Sequence, residues 1–254
     1  MFPLPQFIRL LGPLGVSGFA LAGLVGVLVG WLATVALGRR VAPALLPAAD
    51  DALAWVLLGA LIGGRLGNQV AMRDLTWSPL TWFSLTGTSL SWAGGALGAL
   101  AALLWWAHRR GTDARAWAVA DLLAPGAALA MAVGWLGIPA LGRPTAAPWR
   151  LTLPSGVGVQ PLQPLGALAF AALAAALAWQ LAHLDHLGQN VLTLLALGGA
   201  ARFLLGFLEQ GSPLLGPLTL TQLVDALLAV AATVFSLLQP FPRAAAPQEG
   251  APPP

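Results

Sequence analysis

Seven stretches of this chain are long and apolar enough to cross a lipid bilayer, and no other feature constrains the fold as strongly. A spanning helix needs about 20 mostly apolar residues. Such runs fall at about 14–37, 52–71, 88–107, 118–141, 163–183, 190–209 and 218–238. Little charge remains between them: 58% of the 254 residues are hydrophobic and 8% are charged, against roughly 25% charged in a soluble domain. A chain of that make-up cannot clothe a globule in water-compatible side chains. The expectation is an all-α integral membrane protein, with seven transmembrane helices in one membrane domain over residues 1–239. The first run is too long for a signal-peptide core and has no charged leader of the usual kind, so it reads as a retained span. The tail at 240–254 has no apolar periodicity and reads as disordered.

Arginine placement gives the expected orientation. Lysine is absent, so all 12 basic residues are arginines. Arg39 and Arg40 follow the first span, Arg109, Arg110 and Arg115 the third, and Arg243 the seventh. Arg9, Arg73, Arg143 and Arg150 fall on the other side. Clusters that flank spans directly belong in the cytoplasm, which puts the N-terminus outside and the C-terminus inside. Trp105, Trp106 and Trp117 then line the inner interface, with Trp77, Trp82 and Trp149 at the outer one. The two long outer loops, about 72–87 and 142–162, are of a length that often carries function. The net charge of +3 comes from few residues and speaks to orientation; nucleic acid is not an expected partner. Cysteine and tyrosine are absent, which removes disulfides, thiolate nucleophiles, cysteine metal sites and a tyrosine acid. An odd number of spans without internal repeat argues against an inverted-repeat transporter.

Three ionisable groups sit within spans: Arg65 in GALIGGRLGN, Arg202 in GGAARFLLGFLE and Asp225 in TQLVDALLAV. The span directions put all three in the outer half of the membrane. An arginine at the centre of the bilayer costs about 2.5–3.5 kcal/mol even on insertion scales, so each should face the bundle interior with a partner. Two readings stand. Asp225 neutralises one arginine as a structural pair, or the arginines recognise a lipid phosphate, which the guanidinium fork suits. Two arginines against one acid leave a positive charge over, which favours the second. Gly59, Gly63, Gly64 and Gly67 surround Arg65, and Gly94, Gly95 and Gly98 cluster in the third span. Small residues at this spacing let helices approach closely. His183 and His186, with Asp185 between, are spaced to hold a metal but read as interfacial histidines, and no metal or other cofactor is expected.

The order of these motifs resembles the bacterial prolipoprotein diacylglyceryl transferases, from about residue 52 to 238. GGRLG at 63–67 is similar to the family's glycine–arginine segment, and LSWAGGALG at 90–98 to its small-Ser-aromatic-His-Gly-Gly segment. Asp121 to Gly137 resembles the stretch entering the family signature, GRPTAAPW at 142–149 the turn after it, and VQPLQPL at 159–165 a later motif. The run from Arg202, RFLLGFLEQGSPLLGPLTLTQLVDALL, tracks the family in order and spacing. The resemblance implies seven spans, an outside N-terminus and a site open to the outer leaflet of a bacterial plasma (inner) membrane. It also implies a reaction: a diacylglyceryl group passes from phosphatidylglycerol to the lipobox cysteine of a secreted precursor.

On that resemblance Arg202 and Arg65 are the catalytic candidates, and Trp92, Gly94, Gly95, Gly137, Gly142, Gln163 and Asp225 the substrate-binding ones. The implied partners are phosphatidylglycerol or another anionic phospholipid and the prolipoprotein signal peptide. Departures stand beside the matches. The family's histidine falls on Ala93, its signature arginine on Trp135 and its signature asparagine on Ile138. About three residues are missing before Gly142, with the signature glutamate among them, and the acid four residues after Arg202 is Gly206. The histidine of the later motif is Gln160, while Gln222 is retained. A thiol of pKa about 8.5 needs a base or a positive field, and Asp225 and Glu209 are the acids left near the arginines. The readings are therefore a divergent diacylglyceryl transferase, or a relative that binds phospholipid or lipoprotein signal segments without transfer. An unrelated small transporter or channel subunit is the third.

Overall fold

A computed structural model describes residues 7–11, 14–72, 91–110, 113–137, 142–152, 157–209 and 214–238. Seven long helices carry it: α1 (Gly18–Val41), α2 (Leu46–Met72), α3 (Trp92–Arg109), α4 (Asp113–Gly137), α5 (Leu162–Leu181), α6 (Gln189–Gly206) and α7 (Leu220–Leu237). Two small antiparallel pairs accompany them: β1 (Phe7–Leu11) with β2 (Leu14–Ser17), and β3 (Leu151–Thr152) with β4 (Gly158–Val159). Apart from Met72, the loop expected at 72–87 lies outside the described residues, as do Ile138 and the tail from 240.

Six of the described helices are long and apolar enough to cross a membrane. The helix left out, α3, has its apolar run diluted by Gly94, Gly95, Gly98 and paired tryptophans and ends on His108 and Arg109. Element edges differ from the sequence expectation for local reasons. The first helix starts four residues later because Leu14–Ser17 pairs as a strand. It also runs on through Arg39 and Arg40, since cations favour the last turn of a helix. The second begins six residues earlier, at Leu46, directly after a short 3-10 turn at Pro43–Leu45. The loop at 142–162 is partly ordered by β3 and β4, and α5 already begins at Leu162.

The bundle is organised around α4, which packs against α1, α5 and α6. Its sequence has no single apolar stripe; Ala116, Val119, Leu122, Ala124, Ala128, Ala132 and Trp135 are buried on all sides. A helix apolar all round belongs at a centre. Two seams of small residues draw helices together. In one, Gly59, Gly63 and Gly67 of α2 interlock with Gly94 and Gly98 of α3, where a Cβ on Gly63 or Gly98 would strike backbone. In the other, Gly26 and Gly30 of α1 meet Ala130 and Gly126 of α4. The outer faces stay apolar: Leu24, Leu28, Leu168, Trp179, Leu204, Leu227 and Val230 are exposed. A soluble monomer rarely shows so continuous an apolar surface.

Connectivity gives the bundle two unlike ends. Arg39, Arg40, Arg109, Arg110 and Arg115 gather at one, where Arg110 pairs with Asp51 at 2.7 Å and Arg115 donates to the Ala44 carbonyl at 3.4 Å. Trp135 of α4, the start of α5, the end of α6 and the start of α7 meet at the other.

Candidate active site

At this second end the side chain that organises the contacts is Arg202, in the last two turns of α6. Three groups surround its guanidinium. The Asp225 carboxylate of α7 lies 3.8 Å from Nε, the Glu209 carboxylate lies 3.8 Å from a terminal nitrogen, and Cζ sits 4.9 Å above the Trp135 ring. Both carboxylates are close enough to feel the charge, and neither is at hydrogen-bond distance. Arg202 Nε makes no hydrogen bond.

Each partner is held by its own local structure. Asp225 is buried one turn after Gln222, which forms a capping box with Thr219 and also donates from Nε2 to the Phe203 carbonyl at 3.3 Å. That bond ties α7 to α6 beside Arg202. Gly206 makes room for it, since a Cβ there would overlap the Gln222 side chain. An acid four residues after Arg202 therefore has no space in this chain. Glu209, seven residues after Arg202, is brought back beside it by a tightened turn after α6. Its backbone is pinned by a bridge to Gly142, and the Glu209 carbonyl accepts from Arg143 Nε at 3.1 Å. Gly142 is needed for close approach, because a Cβ would strike the Gln160 carbonyl. The Glu209 carboxylate is 34% exposed, so it is reachable from outside the bundle.

The predicted residues divide into those brought to Arg202 and those used elsewhere. Asp225 and Gly142 are brought to it, the latter through Glu209. Trp92 approaches: its ring packs on Gly198, one turn before Arg202, lies 6.4 Å from the Phe170 ring, and its Nε1 donates to Met131 Sδ. Gly94 lies in the α2–α3 seam, and Gly95 touches Ala60 and Gly64 in the same contact. Gly137 closes α4, and Gln163 opens α5. Arg65, two residues on from Gly63, leaves α2 away from the seam and is still only 6% exposed. The carbonyl of its neighbour Gly64 accepts from Ser91 N at the start of α3, and Trp92 of α3 packs on Gly198 one turn before Arg202.

Two features differ from what the sequence led one to expect. With Glu209 as a second acid, the group of Arg202, Asp225 and Glu209 carries one positive and two negative formal charges, so no positive surplus sits at Arg202 itself. Ala93, on which the family's histidine falls, is 1% exposed and packs among Leu192, Leu195, Leu228 and Ala232. Trp135, on which the family's signature arginine falls, reads in the sequence as a departure and not as a contact of Arg202.

The chain matches the prolipoprotein diacylglyceryl transferase family model over residues 5–238. It belongs to that family. Among relatives, it is 34% identical over 228 residues to the phosphatidylglycerol–prolipoprotein diacylglyceryl transferase of Methylocella silvestris, 81% of each chain being covered. It is 32% identical over 163 residues to the enzyme of that name from Phenylobacterium zucineum, 58% of this chain and 56% of that one. To the Nitrobacter winogradskyi enzyme it is 29% identical over 226 residues, 81% of this chain and 77% of the relative. The match thus spans a little over half of the Phenylobacterium protein and about four fifths of the Methylocella one.

Proposed function

We propose that this protein is a phosphatidylglycerol–prolipoprotein diacylglyceryl transferase of a bacterial plasma membrane. One observation carries the reading beyond family membership: Arg202 lies between two carboxylates, one buried and one reachable, over an aromatic face. In the reaction a lipobox cysteine gives up its thiol proton, its sulfur bonds to glycerol C3, and the C–O bond breaks so that glycerol phosphate leaves with the electron pair. Arg202 stabilises charge on the departing phosphate, and Arg65 and Arg143 supply further positive charge. Glu209 or Asp225 takes the thiol proton. A carboxylate so protonated no longer opposes the arginine, and the positive field on the phosphate grows as it is needed.

The same reading takes all seven long helices as spans. The arginine-rich end then faces the cytoplasm with the C-terminus, the N-terminus lies outside, and the Arg202 end faces the outer leaflet. The gathering of Arg39, Arg40, Arg109, Arg110 and Arg115 at one end supports that orientation. Phosphatidylglycerol or another anionic phospholipid enters sideways into a cavity shared by Arg65 and Arg202, and the signal peptide of the precursor is the second substrate. Residues 1–239 form the membrane domain.

A second reading, a relative that binds phospholipid or signal segments without transfer, is favoured by Ala93, where an imidazole is replaced by apolar packing. One experiment separates the two. The purified protein is incubated with labelled phosphatidylglycerol and a lipobox peptide, and the peptide is analysed for thioether-linked diacylglycerol. Product supports the transferase. Retained lipid without product supports the binder.

A further inference from the structure

Arg202 rests on an aromatic ring as well as between two carboxylates. Both are 3.8 Å away, too far for a hydrogen bond, and Nε has no hydrogen-bond partner. Its guanidinium lies over the ring of Trp135, with Cζ 4.9 Å from the ring centroid. That ring is itself immobilised. Trp135 is only 2% exposed, and it lies flush against Gly166 of α5, where a Cβ would overlap three ring carbons. The tryptophan thus fills a slot that a glycine opens, at the point where α4, α5 and α6 converge.

The geometry points to Trp135 as a positioning residue for the phosphate-binding arginine. The proposal rests on the reading of Arg202 as the group that faces the lipid phosphate. A cation over an aromatic face is attracted through the ring quadrupole, and tryptophan is the strongest partner. This contact sets the guanidinium carbon over the ring and takes up no hydrogen-bond acceptor. The guanidinium N–H donors lie in the plane, at the edge, and are left for a planar, two-pronged contact with phosphate oxygens. A carboxylate in direct hydrogen bonding would fix the arginine equally well, but it would occupy that edge and compete with the phosphate. Trp135 therefore fixes the orientation of Arg202 without using the donors, and the carboxylates at 3.8 Å tune its field from a distance. Gly166 belongs to the same device, because it sets where the ring stands.

The test uses the full-length protein in detergent micelles with phosphatidylglycerol as the probe and phosphatidylcholine as the control. Trp135→Phe, Trp135→Met, Arg202→Ala and the double variant Trp135→Met with Arg202→Ala are compared. Apparent affinity for phosphatidylglycerol is measured in all, with kcat and KM where turnover occurs. Trp135→Met, which keeps apolar bulk and loses the ring, should weaken phosphatidylglycerol binding or raise its KM by roughly 2- to 30-fold. Trp135→Phe should fall between Met and the parent. In the Arg202→Ala background, Trp135→Met should add nothing, because the group it positions is gone. Equal losses with and without Arg202 would make Trp135 a packing residue and overturn the proposal. If Trp135→Met does not fold, Trp135→Phe decides, since parental affinity in that variant would equally overturn it. Failure of the underlying reading looks different: Arg202→Ala itself would then bind and transfer phosphatidylglycerol like the parent.

Discussion

Among the described residues two acids are buried, Asp121 and Asp225, which lie toward opposite ends of the bundle and are treated in opposite ways. Asp121 of α4 is saturated. Its oxygens accept from the backbone N–H groups of Gly188 at 2.7 Å, Asn190 at 2.8 Å and Val191 at 3.1 Å, and Asn190 Nδ2 donates back to the Asp121 carbonyl at 3.2 Å. Those N–H groups stand at the start of α6, whose cap, Gly188, has φ +85° and no side chain to offer. A carboxylate borrowed from another helix does the capping, and it complements the positive end of the helix dipole. Asp225 faces the far end of the same helix, and its contact with Arg202 stays at 3.8 Å. A saturated acid holds two helices in place. An acid kept at a distance from its cation leaves both with capacity for a substrate, so α6 is anchored at one end and poised at the other.

The largest expected effect strikes the poised end. Arg202→Ala should lower diacylglyceryl transfer by roughly 100-fold or more, the scale seen when a donor to developing negative charge is removed. Lysine there should rescue only in part, because a point charge lacks the fork. The shift in thermal unfolding should be smaller than that of any change at Asp121. Transfer unaffected by Arg202→Ala would erase the distinction between the two ends.

Asp121→Ala is the reciprocal experiment. It leaves three helix-start N–H groups without their acceptor in a buried place, which costs about 3 kcal/mol or more. Folded protein should be recovered in lower yield and unfold at lower temperature. Transfer per folded molecule should stay near the parental rate. A specific loss of turnover with unchanged unfolding would mean that Asp121 is not merely an anchor.

How much of this contrast the sequence carries depends on the residue. Arg202 and Asp225 stand out because charge in an apolar run is expensive wherever it lies, so their meeting is legible without a fold. The glycine seam is legible for a similar reason, since Gly59, Gly63 and Gly67 repeat at one helical face. Glu209 was visible as an acid but not as a partner of Arg202, because its position depends on a tightened turn after α6 and a bridge to Gly142. Trp135 was not legible as a partner at all. Its meaning comes from Gly166 and Arg202, 31 and 67 residues further along the chain, which only packing brings together. Helix edges failed where local rules outweighed hydropathy, as at the strand before α1 and the arginines that close it.

A smaller effect is expected at Ala93. The sequence alone invites Ala93→His as a way of restoring a base. In the fold this position is buried in an apolar cluster with Leu192, Leu195, Leu228 and Ala232. Overpacking such a cluster costs about 1–3 kcal/mol, and a buried imidazole without a partner adds to it. The variant should melt earlier and transfer no faster. A gain in rate would show that the site extends to α3 and that the poised region is wider than the Arg202 group.

The smallest effect sits closest to the boundary between anchor and site. Thr219 caps α7: its hydroxyl accepts from Gln222 N at 3.2 Å, while Gln222 Oε1 accepts from Thr219 N at 2.9 Å. Thr219→Ala removes half of that capping box, a loss of about 1 kcal/mol. Asp225 lies two turns into the same helix but is also held by the Gln222 bond to Phe203, which this substitution leaves in place. Unfolding should therefore shift slightly, while transfer and phosphatidylglycerol affinity should stay within about twofold of the parent, since 1 kcal/mol spread over helix fraying hardly moves a residue beyond the first turn. A drop in transfer far beyond the stability change would mean that the start of α7 moves with the substrate. The poised end would then reach through Gln222 into the cap, and the division between saturated and open acids would run inside α7 rather than between the two ends of α6.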